Sequence, residues 1–63
     1  MDEPMPVETE YPNGEKQILY FWQEPSIGLN FYYCYPSDEH KFYEFVIVEM
    51  TEDKSFIVIE QID

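Results

Sequence analysis

The chain has 63 residues and a formal net charge of −11, because fourteen Asp and Glu residues stand against three Lys and no Arg. Proteins that bind nucleic acid need basic groups for the phosphates, and Arg is the usual reader of guanine edges. The composition therefore argues against direct binding of nucleic acid. A positively charged protein, in contrast, would be attracted over a distance of about one Debye length. The plainer interpretation is that the acids only keep a small protein soluble.

The cysteine content and the hydropathy pattern indicate a cytoplasmic protein. Cys34 is the single cysteine, so an intramolecular disulfide is excluded. Residues 1–6 lack the basic start and apolar run of a secretory signal. No apolar stretch approaches the roughly 20 residues that cross a bilayer, so we expect no insertion into a membrane.

The first half of the chain alternates apolar runs with turn residues. Residues 1–6 are predicted to be a flexible lead-in to a single β domain over residues 7–63. The first strand is predicted over 7–11, and Pro12, Asn13 and Gly14 follow it as a tight turn. The second strand is predicted over 16–24, and the turn residues at 25–28 end it.

The second half repeats this pattern. Strands are predicted over 29–35, 41–50 and 55–62, with turns at 36–40 and 51–54 between them. No stretch shows a helical stripe, and loops this short leave no room for parallel crossover connections. We therefore predict an all-β fold with at most minor helix, in which four to five strands form a small antiparallel meander.

The strand predicted at 41–50 is apolar on both faces. Alternation gives Phe42, Val46, Val48 and Met50 on one face and Tyr43, Phe45 and Ile47 on the other. Without a helix to cover it, such a sheet must curl into a small barrel, pack against a second sheet or meet another chain. A homodimer is accordingly one expectation.

The meander divides most of the acids between the two ends of the sheet. The turns at 12–15 and 36–40 and the carboxyl terminus share one end, and the remaining turns share the other. The acids gathered at these ends are Glu15, Asp38, Glu39 and Asp63 at the first and Glu24, Glu49, Glu52 and Asp53 at the second. All of them except Asp63 are predicted to bind a partner. Each end is therefore expected to be a pole of negative charge.

Two further acids interrupt apolar strands. With a three-residue loop between the last two strands, Glu44 and Glu60 would lie almost opposite each other, which is unfavourable for like charges. This favours a two-residue loop at Glu52 and Asp53, or a cation that a partner places between the two strand acids. We count Glu44 and Glu60 among the predicted partner-binding residues. Glu8 and Glu10 are also expected on one face, about 6.7 Å apart.

The aromatic runs at 20–22 and 31–35 are typical of sheets that stack single-stranded bases. The acidic charge opposes that use, so a protein-facing patch is the better interpretation, since Tyr and Trp are enriched at interface hot spots. The predicted contact rings are Tyr20, Trp22, Tyr33 and Tyr35.

Residues for catalysis or metal binding are few. Cys34 and His40 could form a nucleophile and base, but no motif supports the pair, and a cysteine within an aromatic run is usually a small buried hydrophobe. Asp38, Glu39 and His40 match neither a calcium loop nor a zinc site. We predict no catalytic residue, no metal and no cofactor.

The overall profile resembles, in character only, the small acidic inhibitors that phages direct against host nucleic-acid enzymes, such as anti-CRISPR proteins, uracil-DNA glycosylase inhibitors and restriction inhibitors. No motif transfers functional residues from them. The first hypothesis is a non-enzymatic DNA mimic that blocks the basic groove of a nucleic-acid-binding protein. The second is a structural or regulatory adaptor whose aromatic sheet face dimerises or docks a partner.

Overall fold

The computed structural model describes residues 3–62, which form one curled β-sheet. The strands are β1 (Met5–Glu10), β2 (Lys16–Phe21), β3 (Asn30–Tyr35), β4 (Asp38–Met50) and β5 (Phe56–Gln61). Their order across the sheet is β2-β1-β5-β4-β3, and the sheet curls into a half-barrel. The predicted all-β class and curled sheet are confirmed. Residues 3–62 contain no helix long and apolar enough to span a membrane.

The sheet is mixed, whereas the sequence predicted a purely antiparallel meander. β1 pairs with β5 in parallel, with Thr9 opposite Ile57, and the other three pairings are antiparallel. Five strands that reverse direction at every turn leave the first and the last running the same way. When the curl brings these two together, they pair in parallel without any crossover helix. As a result β2 and β3 form the two edges of the sheet.

The predicted turns at 11–14 and 25–28 are present. Gly14 and Gly28 both have φ of 91°, a conformation that favours glycine. The Gly14 amide donates to the Tyr11 carbonyl at 3.0 Å, which closes the first turn. β1 begins at Met5, so the strand includes two residues of the expected lead-in, whereas residues 1–2 lie outside the described part.

The turn predicted at 36–40 is shorter than expected. Tyr35 pairs directly with Asp38, so only Pro36 and Ser37 form the turn, and β4 begins at Asp38. Asp38, Glu39 and His40 are therefore strand residues, in contrast to the prediction. A two-residue connection is long enough because the strands it joins are antiparallel neighbours.

The concave face of the sheet holds the core. Its fully buried members, each 0% exposed, come from three neighbouring strands: Val7, Phe45, Ile47, Ile57 and Ile59. Tyr11 and Phe45 meet edge to face with ring centroids 5.6 Å apart. A register shift between Ile47 and Glu49 turns Met50 towards this core, so grouping Met50 with Phe42 on one face was wrong.

Candidate functional site

Five carboxylates share the outer face of the sheet, which is the face away from the core. Paired residues project to the same side, and the register places Glu10, Val58 and Glu49 in one row across β1, β5 and β4. At two strand spacings, the ends of this row are about 9.5 Å apart. We use the name outer acidic face for Glu8, Glu10, Glu44, Glu49 and Glu60.

Glu44 and Glu60 are diagonal neighbours on this face and not opposite each other. Glu60 pairs with Val46, and the Ile62 amide donates to the Glu44 carbonyl at 3.0 Å. The loop between β4 and β5 has five residues, 51–55, and the Thr51 amide donates to the Phe56 carbonyl at 3.0 Å. The prediction of a two-residue loop was wrong. The longer loop offsets the two acids along the strands, and the register shift near Val48 places both of them on the outer face as diagonal neighbours.

Two side chains on β3 donate hydrogen bonds to the carboxylate of Glu44. Asn30 Nδ2 and Tyr32 Oη donate to the two carboxylate oxygens at 3.3 and 3.4 Å. No cation is needed for this arrangement. The contacts join the outer acidic face to the exposed side of β3.

The turns at 12–15 and 36–37 meet at one end of the sheet, which we call the turn end. Ser37 Oγ donates to Glu15 Oε1 at 2.8 Å, and Asn13 Nδ2 donates to the same oxygen. Asp38 follows this turn as a half-buried residue, and Glu39 is exposed. The predicted member Asp63 lies outside the described residues.

The opposite end, which we call the loop end, brings residues 22–29 and 51–55 together. Lys54 Nζ lies 2.7 Å from Glu24 Oε1, which partly neutralises this pole. Asp53 accepts hydrogen bonds from Thr51 and Ser55, and these bonds lower the pKa of its carboxyl. Glu52 is exposed in the same loop, whereas Glu49 belongs to the outer acidic face.

A cleft of about 560 Å³ separates the two edge strands β2 and β3. No Cα atom of β2 lies within 8 Å of a Cα atom of β3, although Phe21 and Phe31 touch edge to face at 5.6 Å between centroids. We call this cleft the edge gap. Its aromatic lining includes three predicted contact rings and two more exposed or half-buried rings: Tyr20, Trp22, Tyr33, Tyr32 and Phe31.

Tyr35, the fourth predicted contact ring, packs against the core. Its ring lies 5.3 Å from that of Tyr11 and 5.4 Å from that of Phe45, and its hydroxyl donates to Gln61 Oε1 at 2.7 Å. Tyr35 therefore does not line the edge gap. Burial raises the pKa of the neighbouring Tyr11 to about 12, although Gln17 Nε2 donates to its hydroxyl at 2.7 Å.

Cys34 and His40 differ in exposure. The thiol of Cys34 is buried, whereas His40 is exposed and its backbone amide donates to Asp38 Oδ1 at 3.4 Å. The hydrogen bonds within residues 3–62 include none between Cys34 and His40. In the same part of the chain, no group of three or more His, Cys, Asp or Glu is placed to hold a metal ion.

Sequence reasoning missed the edge gap because a meander would have paired β2 with β3. Tyr32 was not among the predicted contact rings, because alternation along the strand places it on the face opposite Tyr33. The sequence does not indicate a role for Asn30, whose side chain contacts Glu44 in the structure. Comparison of the chain with protein-family models, curated proteins and solved structures gives no match.

Proposed function

We propose that the protein is a non-enzymatic inhibitor that acts in the cytoplasm as a DNA mimic, with its acids bound to the basic nucleic-acid-binding surface of a partner protein. The observation that supports this proposal is the register, which projects the five members of the outer acidic face from one side of the sheet. Lys16 pairs with Glu10 at the margin of that face. A basic groove would gain charge complementarity there, as it does with phosphates.

The outer acidic face also offers apolar contact area between its charges. Val46, Phe56 and Val58 lie on the same rows as the acids and are half-buried. A partner that covers these rows would remove apolar surface from water while its Lys and Arg side chains meet the carboxylates. Nucleic acid and this protein would then compete for one surface of the partner.

The test begins with a pull-down from host lysate at low and high salt, followed by competition with nucleic acid for the recovered protein. A basic partner should bind at low salt and dissociate as salt rises, and excess nucleic acid should displace this protein from the partner. In the double variant Glu10→Gln with Glu49→Gln, affinity should fall about tenfold. The exposed Glu3, outside the sheet rows, supplies the control Glu3→Gln, which removes the same single charge as Glu49→Gln alone.

The proposal fails if no basic protein is recovered at low ionic strength. It also fails if Glu3→Gln weakens binding as much as Glu49→Gln alone does, because net charge would then explain the affinity.

A second candidate function is an adaptor that docks a partner through its exposed aromatic residues. Tyr20, Trp22 and Tyr32 are 63%, 66% and 67% exposed. For an adaptor, Trp22→Ala should weaken partner binding by about 2 kcal/mol or more, whereas the Glu10 and Glu49 double variant should change it little. The opposite pattern favours the inhibitor.

A further inference from the structure

The two edge strands that face each other across the edge gap are open to pairing. On an edge strand, alternate residues direct their backbone N–H and C=O groups away from the sheet. Proteins commonly protect such edges with charged residues or proline. β3 (Asn30–Tyr35) contains neither, and β2 contains only Lys16, at its first position.

The edge gap is wider than the spacing of two directly paired strands. Neighbouring strands in a sheet are about 4.7–4.9 Å apart, so a strand between β2 and β3 requires a separation of roughly 9.5 Å. The Cα atoms of the two strands are more than 8 Å apart throughout, which exceeds direct pairing. The contact between Phe21 and Phe31 spans the same gap on the concave side, so side chains cover its floor while the backbone edges stay unpaired.

We propose that the edge gap receives an extended, basic segment of the partner, which pairs with β2 and β3 as a sixth strand. This inference deepens the proposed function and rests on it for the basic character of the partner. A second copy of this chain is a poorer occupant, because each copy has a net charge of −11 and the two would repel each other. Binding by strand addition supplies main-chain hydrogen bonds, and side chains at alternate positions supply specificity.

The lining of the edge gap suits Lys or Arg side chains at alternate positions of that segment. The exposed rings of Tyr20, Trp22 and Tyr32 present faces on which cations bind. Tyr32 also donates to Glu44, so a carboxylate lies beside the β3 edge. The intervening apolar side chains of the segment would point towards Leu19 and the aromatic floor.

The experiment uses a synthetic peptide of about eight residues that alternates Arg and Val, slightly longer than a usual strand. Its control is the same peptide with N-methyl groups on every second amide, which keeps the charge and side chains but removes the donors that face one edge. Binding is measured by calorimetry, and the site by amide hydrogen exchange in the full chain. We expect the affinity of the N-methylated peptide to be lower by a factor of about ten or more, since several main-chain hydrogen bonds are lost. We also expect the unmodified peptide to protect amides in β2 and β3.

Variants of the protein provide the second arm. Trp22→Ala should lower the affinity for the unmodified peptide about tenfold. Phe42→Ala is the matched control, because Phe42 is 64% exposed but does not line the edge gap. Equal weakening by both variants would overturn the proposal, as would equal affinity for the two peptides.

Failure of this inference is distinguishable from failure of the proposed function. Protection confined to strands β1, β5 and β4 would overturn strand addition while leaving the outer acidic face as the binding surface. A peptide that alternates Glu and Val and binds as well as the Arg peptide would overturn the basic occupant. Light scattering that shows a dimer, with protection of the β2 and β3 amides in it, would assign the gap to a second copy and overturn the proposal.

Discussion

The Ser37 hydroxyl donates a 2.8 Å hydrogen bond to the Glu15 carboxylate, which connects the residue before β2 to the turn after β3. At the other end of the sheet, the ion pair between Lys54 and Glu24 joins the β2–β3 connection to the loop after β4. The two edge strands are thus linked by a side-chain hydrogen bond at one end and by residues 22–29 of the chain at the other, where the ion pair fixes that connection to the β4–β5 loop. This explains how a half-barrel keeps its shape although its edges do not pair.

The buried ring of Phe45 should dominate the stability of the sheet. It is 0% exposed and contacts the rings of Tyr11, Phe31 and Tyr35. We expect Phe45→Ala to lower the free energy of unfolding by about 3–5 kcal/mol, because it removes apolar contacts and leaves a cavity. Urea denaturation followed by circular dichroism measures this change. Phe42→Ala, the exposed counterpart on the same strand, should change the free energy of unfolding by only about 0.5 kcal/mol, and similar losses in both variants would contradict the assigned core.

The buried hydroxyl of Tyr11 should make stability fall at alkaline pH. Its pKa is raised to about 12 in the folded chain, above the ordinary value of 10.0, so the unfolded chain loses this proton first. The stabilising contribution is therefore full below pH 10 and disappears as pH rises towards 12. We expect Tyr11→Phe to reduce the decline in the free energy of unfolding over this window. A decline as steep as that of the unaltered protein would contradict burial of the hydroxyl.

The carboxylate of Asp53 should stabilise the β4–β5 loop at neutral pH. Hydrogen bonds from Thr51 and Ser55 lower its pKa, so its contribution is present above the ordinary value of 3.8 and is lost as pH falls through the lowered value. We expect Asp53→Ala to destabilise the chain at pH 7 and to have a smaller effect in strong acid. Melting temperatures across this range measure the difference. Glu52→Ala, at the adjacent exposed position, should not reproduce the pH dependence.

The thiol of Cys34 should react only when the sheet opens. Its side chain is buried and 8% exposed, and a buried thiol in apolar surroundings is inert. We expect slow labelling by a thiol reagent in buffer and a steep rise in rate through the urea unfolding transition. Fast labelling of the folded chain would instead indicate an accessible, activated thiol and would reopen the catalytic interpretation with His40.

The sequence predicts those parts of the fold that depend on neighbouring residues. The positions of proline and glycine in the sequence predict the turns that contain Gly14 and Gly28. Both residues have φ of 91°, a conformation that favours a residue without a Cβ atom. Alternation placed Phe45 and Ile47 together on one face, and both are fully buried. These signals are local, so they define each strand better than its partners.

The pairing of β1 with β5 and the register shift near Val48 could not be predicted in the same way. Both depend on how the curled sheet closes over the core, and no local residue pattern states which distant strand fills that position. The consequence for the site is direct. A three-residue loop with an unshifted register would place Glu44 almost opposite Glu60, and without the parallel pair the edge gap had no place in the fold.

The parallel pair also determines when the sheet can assemble. The chain forms β2, β3 and β4 between β1 and its neighbour β5, so during synthesis the β1–β2 hairpin has no partner strand until β5 has left the ribosome. A contact between such distant segments also forms slowly, because a long loop must close first. Translation of β5 is therefore the event that unites two separate folding units into one sheet.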